Sequence, residues 1–354
     1  MLHPKIRGPA PAPDRAIPAS VADVRIREFN LKTEDPLPLV GMKEVVFGIP
    51  VDISLWEWQY LRNPPANQPR IYIAEAGNEL VAATSRFPFR MQFGGRTIES
   101  FFSFDSMVHP NWRRLGLMER LYGKTFEEMP ILFSKGTTSN MYGLLRKQGY
   151  RDIVPNSILV RYLSPVRLLF RKAGFIEELR TVPVGKELPK GFAPIQVFGE
   201  DFDRFRERIS KRFNGIVVKN SRFMNWRYGE IPNRNYTCCY RKNMAGEIAA
   251  VLVFRINGSS CSVVDISWDP ADSGEPGKTI RSLCVFLKEK RIAKVSCWGT
   301  YGRLREALRG NGFMDRGETP RFSFRDYGSI LGTLIDGRKF HFVDGDGDSE
   351  YCTS

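Results

Sequence analysis

The chain has 354 residues, of which 42% are hydrophobic and 26% are charged, and its formal net charge is +14. This length corresponds to about two domains of roughly 150 residues, and the composition is typical of a globular protein. No apolar run approaches the roughly 18 to 20 residues of a membrane-spanning helix, so we expect no membrane span. The six cysteines include no CxxC pair, which argues against a zinc-type site, and we expect no metal.

The positive charge permits an anionic partner, either a phosphorylated ligand or nucleic acid. The lysines and arginines are scattered and form no run of five, so a solvated basic surface is as good an explanation as an anionic partner, and nucleic acid is disfavoured. Residues 1–23 lack the apolar segment of a secretory signal, and we expect a flexible tail there. The absence of an export signal favours the reducing cytoplasm.

The first half of the chain begins with a strand and two helices, and continues with strands before two amphipathic helices. The predicted elements are the strand Val24–Phe29, the helices Leu37–Phe47 and Leu55–Leu61, the strands Ile71–Ala74, Leu80–Phe89 and Thr97–Val108, the helix Leu117–Met129, the strand Ile131–Ser134, the helix Asn140–Lys147 and the strand Ile158–Tyr162. Gly149 is suited to ending the last of these helices.

The second half of the chain predicts the same order of elements. They are the strand Ile195–Phe198, the helices Asp203–Phe213 and Ser221–Tyr228, the strands Tyr236–Tyr240, Ala249–Ile256 and Cys261–Trp268, the helix Lys278–Glu289, the strand Lys294–Trp298, the helix Arg303–Arg309 and the strand Phe322–Arg325. Matching residues recur at nearly constant offsets. The offset is 168 from Trp58 to Trp226 and from Tyr60 to Tyr228, 160 from Asp105 to Asp265, and 163 from Gly149 to Gly312.

This internal repeat predicts two copies of one domain. We expect an α+β (mixed α/β) fold in which each copy has a mixed, mostly antiparallel sheet flanked by helices. The predicted division is a tail at 1–23, a first domain at 24–163, a connecting helix and linker at 164–193, a second domain at 194–343 and an acidic tail at 344–354. The Asp-Gly-Asp-Gly start of that tail suggests a calcium loop, but Ser349 replaces the required glycine, so an acidic tail is favoured.

The segment from Phe104 to Met118 carries the strongest chemical signal of the chain. A strand ends at Val108, a turn holds Pro110, and a basic segment containing Gly116 opens an amphipathic helix. Backbone N–H groups at a helix N-terminus form an anion site, and glycine allows a phosphate to approach closely. The alternative is an ordinary strand–turn–helix connection with exposed arginines.

Val108, Pro110, Arg113 and Gly116 resemble motif A of the GNAT superfamily of N-acetyltransferases. The element order of both copies is similar to that fold, and Gly149-Tyr150 resembles its closing Gly-Phe pair. Met118 departs from the motif, in which a small residue is usual. The resemblance implies that the loop amides hold the pyrophosphate of acetyl-CoA. The implied cofactor-binding residues are Met107, Val108, Arg113, Arg114, Leu115, Gly116, Leu117, Met118 and Asn140.

The second copy lacks this loop. Residues 269–278 replace it with a segment that carries Asp269, Asp272 and Glu275. These carboxylates would repel a pyrophosphate. We therefore expect the second copy to bind no acetyl-CoA and to support the fold or shape the acceptor site.

The resemblance implies acyl transfer from a thioester to an amine, with a base for the ammonium and an acid for the departing thiolate. Asp105 is the candidate base, although its repetition as Asp265 also fits a structural carboxylate bonded by backbone donors. The family's helix tyrosine would lie at Leu145, and Tyr142, one turn earlier, is the candidate acid or else a packed side chain. Trp56, which has no aromatic counterpart in the second copy, is the candidate acceptor-binding residue.

These features predict an acetyl-CoA-dependent N-acetyltransferase. An amino sugar or surface-polysaccharide precursor is the expected acceptor, by analogy with similar tandem enzymes of polysaccharide gene clusters. One alternative is a FemABX-like aminoacyltransferase that uses aminoacyl-tRNA, which the positive charge favours. Another is a non-catalytic acyl-CoA-binding regulator. The acyl-chain preference and the oligomeric state are left open.

Overall fold

The computed structural model of the chain describes residues 23–64, 68–126, 128–155, 157–164, 187–316, 321–328, 330–331 and 336–347. Along these residues the strands form mixed, mostly antiparallel sheets flanked by helices. The predicted α+β class is therefore confirmed. The tail predicted at 1–23 lies outside the described residues except for Asp23, and so does 165–186 of the predicted linker.

The first half follows the predicted order closely. Its elements are β1 (Val24–Phe29), α1 (Leu37–Phe47), α2 (Ile53–Tyr60), β2 (Arg70–Ala76), β3 (Glu79–Phe93), β4 (Arg96–Val108), α3 (Leu117–Phe126), β5 (Ile131–Lys135), α4 (Ser139–Lys147), β6 (Arg151–Asp152) and β7 (Leu159–Tyr162). Helix α2 begins two residues before the predicted start because the Asp52 carboxylate accepts hydrogen bonds from the amides of Ser54 and Leu55 and caps the helix.

The second half differs from the prediction mainly in its first and last elements. Its elements are β8 (Ala193–Pro194), α5 (Glu200–Ser210), β9 (Gly215–Val217), α6 (Ser221–Met224), β10 (Thr237–Lys242), β11 (Ile248–Asn257), β12 (Ser260–Trp268), α7 (Glu275–Glu289), β13 (Lys294–Cys297), α8 (Gly302–Gly310), β14 (Met314–Asp315), β15 (Phe322–Asp326) and β16 (Phe340–His341). The predicted strand Ile195–Phe198 is wrong. The backbone N–H and carbonyl of Phe198 both bond to the Asn225 side chain instead of a neighbouring strand.

The repeat predicted from the sequence appears as matching backbone irregularities. The register between β2 and β3 shifts at Val81, and that between β10 and β11 shifts at Ala249, 168 residues later. The carbonyl of Val81 accepts a hydrogen bond from the backbone N–H of His109 at 2.9 Å, and that of Ala249 accepts one from Asp269 at 3.1 Å. A β-bulge is a specific local feature, so its recurrence at the predicted offset supports the repeat.

The chain divides into two compact units. Unit 1 comprises Met1–Pro88 and Phe101–Leu132, and unit 2 comprises Phe89–Ser100 and Phe133–Ser354. Within unit 1 the strands lie in the order β1–β2–β3–β4. Within unit 2 one sheet has the order β14–β7–β13–β12–β11–β10–β8, and its β12–β13 pair is parallel.

Unit 2 contains an exchange of strands between the two repeats. Strand β7 ends the first repeat, yet it pairs with β13 of the second, with Leu159 opposite Cys297. Strand β15 belongs to the second repeat, yet it pairs with β6 of the first, with Phe324 opposite Arg151. Because of this exchange, the compact units and the sequence repeats divide the chain differently.

Each unit buries its own apolar core. In unit 1 the core joins α1 and α2 to the sheet, and in unit 2 it joins β10–β13 to α5, α7 and α8. Trp58 and Trp226, the repeated tryptophans, are 1% and 2% exposed. Among the described residues, no helix combines the length and apolarity needed to cross a bilayer.

The acidic tail predicted at 344–354 begins as ordered structure in unit 2. Asp344–Asp346 forms a 3₁₀ turn, and the Asp346 side chain is only 2% exposed. A buried carboxylate requires a charged partner, and Asp346 forms an ion pair with Lys219. Residues 348–354 lie outside the described part of the chain.

Candidate active site

The loop between β4 and α3 starts from a fixed point. The bond from His109 to the bulged residue Val81 holds the end of β4, and a 3₁₀ turn, Pro110–Trp112, follows. Trp112 is buried and anchors this turn. The chain then reaches the start of α3 at Leu117, so only 113–116 are free to shape a binding loop.

Two residues of this loop have left-handed backbone conformations. The φ angles are 67° at Arg114 and 72° at Gly116. For a non-glycine residue this conformation costs roughly 1 kcal/mol, and such strain is concentrated at functional sites. No heavy atom lies within 4 Å of the Cβ position of Gly116, so the loop leaves space beside its glycine.

The loop also offers unused hydrogen-bond donors. Within the described part of the chain, the amides from Arg114 to Met118 donate to no acceptor. The side chains of Arg113 and Arg114 are exposed, whereas those of Leu117 and Met118 are buried. Burial of the Met118 side chain leaves only its backbone for a ligand, so its size is no obstacle. Free amides at a positive helix end, with two arginines, suit the pyrophosphate of acyl-CoA.

The corresponding segment of the second repeat is closed by its own side chains. Asp269 forms ion pairs with Arg208 and Arg212, and the Glu275 carboxylate, 4% exposed, pairs with Arg241. The amides of Asp272 and Glu275 donate to carbonyls of the same turn. At the offset of 160, the amides of Gly274, Glu275 and Lys278 correspond to the unbonded amides of Arg114, Leu115 and Met118, and each of the three donates to an acceptor within this segment.

Asp105, the candidate base, lies on β4 with a left-handed φ of 40°. Its Oδ2 accepts hydrogen bonds from Lys43 Nζ at 2.7 Å and from the Tyr60 hydroxyl at 2.6 Å. Its Oδ1 has no partner among the described residues. The expected alternative, a carboxylate bonded by backbone donors, therefore does not describe Asp105, because its donors are side chains from α1 and α2.

Asp265 has the same kind of surroundings in the second repeat. Its Oδ2 accepts hydrogen bonds from Lys219 Nζ at 2.6 Å and from the Tyr228 hydroxyl at 3.1 Å, and Ser267 donates to its Oδ1 at 3.4 Å. Burial raises the pKa of Asp265, but the charges of Lys219 and Arg206 outweigh it and leave the pKa below its usual value. This carboxylate is fully partnered.

A chain of buried polar groups lies beneath α3. Thr84 Oγ1 is 2.8 Å from Ser106 Oγ, which is 3.1 Å from the Tyr122 hydroxyl. Arg86, fully buried, donates to Thr84 Oγ1 at 2.5 Å and lies 4.2 Å from the centre of the Tyr122 ring. No carboxylate in the described residues pairs with Arg86, so its charge adds to the positive potential of this layer. The equivalent of Arg86, 168 residues later, is Phe254.

Tyr142 and Asn140, two further predicted site residues, belong to α4 in unit 2. The Tyr142 hydroxyl donates to Asp152 Oδ2 at 2.7 Å, and this bond raises the pKa of the phenol. Asn140 is exposed and does not cap the helix, because the Thr138 side chain accepts the bond from the Met141 amide. Their roles in the reaction stay predictions.

Trp56 and Met107 are both buried in the core of unit 1. Trp56 is 4% exposed, and its ring stacks on Tyr60 with the centroids 4.9 Å apart. Its role as the acceptor-binding residue stays a prediction. Sequence reasoning did not single out Lys43 or Tyr60 as site residues. The joint repetition of Tyr60 with Tyr228 and of Asp105 with Asp265 was the signal that linked them.

Residues 31–152 match the family model of the acetyltransferase (GNAT) domain. Over these residues the chain is therefore similar to the acetyltransferase (GNAT) domain. The match runs from before α1 to the end of β6 and includes the loop, Asp105 and Tyr142. Among curated proteins, no sequence matches the chain.

Solved structures share the GNAT fold over most of the chain. A probable N-acyltransferase from Enterococcus faecalis is 10% identical, with 86% of this chain and 73% of that chain covered and a TM-score of 0.61. N-myristoyltransferase of Saccharomyces cerevisiae, solved with myristoyl-CoA, is 11% identical, with 87% of this chain and 83% of that chain covered and a TM-score of 0.56. A GCN5-related N-acetyltransferase from Kribbella flavida is 15% identical, with 89% of this chain and 72% of that chain covered and a TM-score of 0.56. At these identities the likeness shows the fold.

Proposed function

We propose that the protein is an acetyl-CoA-dependent N-acyltransferase whose donor site is the loop Arg113–Met118. The observation that carries the proposal is the set of unbonded amides between Arg114 and Met118 at the start of α3. The left-handed Arg114 and Gly116 support it, because such loops form concavities for anions. The match to the GNAT family over residues 31–152 supports the same chemistry.

The acyl-CoA co-substrate supplies an acyl group activated as a thioester. A nitrogen–carbon bond forms to the acceptor amine and the carbon–sulphur bond breaks. Asp105 Oδ1 takes the proton that the acceptor ammonium must lose, while Lys43 and Tyr60 hold Oδ2. We assign the proton needed by the departing thiolate to Tyr142, whose phenol has a raised pKa and therefore retains its proton until the thiolate forms.

The second repeat has a structural role in this proposal. We propose that it is a GNAT-like domain that has lost its donor site, because Asp269 and Glu275 are paired with arginines where the first repeat has free amides. The acceptor is an amine, and an amino sugar or surface-polysaccharide precursor is the class we propose. We further propose that the reaction takes place in the cytoplasm.

Calorimetric titration of the full chain with acetyl-CoA, CoA, myristoyl-CoA and a dephosphorylated pantetheine thioester tests the donor site. We expect one site, submillimolar affinity and tighter binding of acetyl-CoA than of dephosphorylated pantetheine thioesters, because the diphosphate is the group recognised. A folded protein that binds no CoA derivative at millimolar concentration would contradict the proposal. A salt-dependent shift with tRNA in that protein would instead favour aminoacyl transfer.

A further inference from the structure

The two repeats place the same three chemical groups together. In each, the hydroxyl of a repeated tyrosine and the ammonium of a lysine bond to one oxygen of a repeated aspartate. The groups are Tyr60, Lys43 and Asp105 in unit 1, and Tyr228, Lys219 and Asp265 in unit 2. The lysines come from different elements, Lys43 from α1 and Lys219 from the segment after β9. The same arrangement of groups therefore occurs in both units although its lysine comes from a different part of the fold.

In unit 2 the C-terminal segment Asp344–Gly347 covers this arrangement. Arg227 donates to the carbonyls of Gly345 at 3.3 Å and Gly347 at 3.1 Å. Gly345 packs so closely that a Cβ there would lie 1.9 Å from the Tyr228 hydroxyl and 3.2 Å from the Val264 carbonyl. The Asp346 carboxylate lies 2.5 Å from Lys219 Nζ. Lys219 therefore binds two carboxylates, one from its own site and one from the covering segment.

The lysine and the aspartate of this arrangement are more exposed in unit 1 than in unit 2. The side chains of Lys43 and Asp105 are 18% and 7% exposed, whereas those of Lys219 and Asp265 are 3% and 2% exposed. Asp105 Oδ1 has no partner in the described residues, whereas Asp265 Oδ1 receives a bond from Ser267. The covering segment thus shows which ligand chemistry this arrangement accepts when it is filled, namely a compact backbone and a carboxylate on the lysine.

We propose that the acceptor is an amine that carries a carboxylate close to its nitrogen, with the ammonium on Asp105 Oδ1 and the carboxylate on Lys43. This inference rests on the proposed acyl transfer and names its acceptor class. Lys43 Nζ lies 2.7 Å from Asp105 Oδ2, so it lies within about 5 Å of Oδ1. An amine and a carboxylate on one carbon are separated by roughly 2.5 Å. With one hydrogen bond of about 2.8 Å at each end, such a ligand can span Asp105 Oδ1 and Lys43 Nζ.

Two matched pairs of acceptors test the inference and distinguish its two sources, amino acids and acidic amino sugars. The pairs are glycine with glycinamide, and muramic acid, whose carboxylate is carried on the oxygen next to the amine-bearing carbon, with glucosamine. With acetyl-CoA and the full chain, we expect the carboxylate-bearing member of at least one pair to have a kcat/KM about tenfold higher, through a lower KM. Charge-assisted hydrogen bonds to a carboxylate contribute selectivity of this order.

Variants at Lys43 separate recognition from a general loss of activity. Lys43→Met should lower kcat/KM for both members of a pair, because Lys43 also holds Asp105, but the loss should be about tenfold larger for the carboxylate-bearing member. Lys43→Arg should retain the preference. The exposed Lys32 provides the matched control, Lys32→Met, which should change neither. Circular dichroism confirms that each variant is folded.

The outcomes distinguish the inference from the function on which it rests. Equal use of both members of each pair, an equal effect of Lys43→Met on both, or use of neither pair by a protein that binds acetyl-CoA would overturn the acceptor assignment alone. Failure to bind acetyl-CoA would overturn the proposed function, and the acceptor assignment with it.

Discussion

The first and second repeats share a backbone plan and differ in what their polar groups do. In the first, the loop amides between Arg114 and Met118 have no acceptor in the described residues, and Asp105 keeps one free oxygen. In the second, Asp269 and Glu275 pair with arginines, and Asp265 is covered by the C-terminal segment. The difference shows that two similar backbone arrangements can hold their polar groups differently, because burial and ion pairing in the second occupy groups that the first leaves unbonded.

The largest effect should come from neutralising each of the two aspartates in turn. Asp105→Asn should lower kcat by about 10²- to 10⁴-fold, the usual contribution of a general base, with little change in stability. Asp265→Asn should leave kcat within about threefold but destabilise the fold by roughly 3 kcal/mol, because Lys219 loses a buried partner. Steady-state kinetics and urea unfolding check both. A catalytic loss at Asp265 equal to that at Asp105 would break the comparison.

The donor loop is tested by adding charge at its glycine. Gly116→Glu should weaken acetyl-CoA binding at least about 100-fold, because it places a carboxylate beside the proposed diphosphate site and forces a side chain into a φ of 72°. Gly123→Glu adds the same charge on the same helix, at an exposed position with no heavy atom within 4 Å of its Cβ. Calorimetry should find near-normal affinity in that control. Equal losses in both variants would show a general charge effect instead of a loop site.

The covering of the second repeat is tested at Gly345. Gly345→Ala should destabilise the protein by about 1 to 3 kcal/mol, the usual cost of overpacking a buried position, because its Cβ would meet the Tyr228 hydroxyl. Gly143→Ala, on α4 in open space, should stabilise by up to roughly 1 kcal/mol. Urea denaturation measures both. A neutral effect at Gly345 would mean that the segment does not pack against Tyr228.

The burial of His341 in the second repeat predicts that the stability of the protein depends on pH. Burial lowers the pKa of His341 to about 3, so the unfolded chain, with an ordinary histidine near 6.5, binds a proton before the folded chain does. Stability should therefore fall as the pH drops below 6.5, by about 2 kcal/mol between pH 7 and pH 5. His341→Gln should lack this component, and the difference between the two proteins in urea unfolding at both pH values isolates it. Parallel losses in both proteins would mean that His341 is hydrated.

Much of the fold could be predicted from local patterns. The bounds of β1 and α1 agree with the prediction to the residue, because alternation and helical periodicity record which face is buried. The prediction of Ile195–Phe198 failed because the Asn225 side chain, 27 residues away, takes the backbone bonds of Phe198. The exchange of β7 and β15 between repeats was also not predictable, since both strands have the pattern of ordinary buried strands whichever sheet they join.

By itself, the sequence determined the α+β class, the repeat with its offsets and the loop that opens α3, because each depends on residues close together along the chain. Only the tertiary structure decided that Lys43 and Tyr60 meet Asp105, and that the C-terminal segment covers Asp265. Those groups are separated by tens of residues, and no local pattern records which distant side chains share one oxygen. Tertiary packing therefore decides whether a repeated aspartate keeps an unbonded oxygen or is buried with all its oxygens bonded.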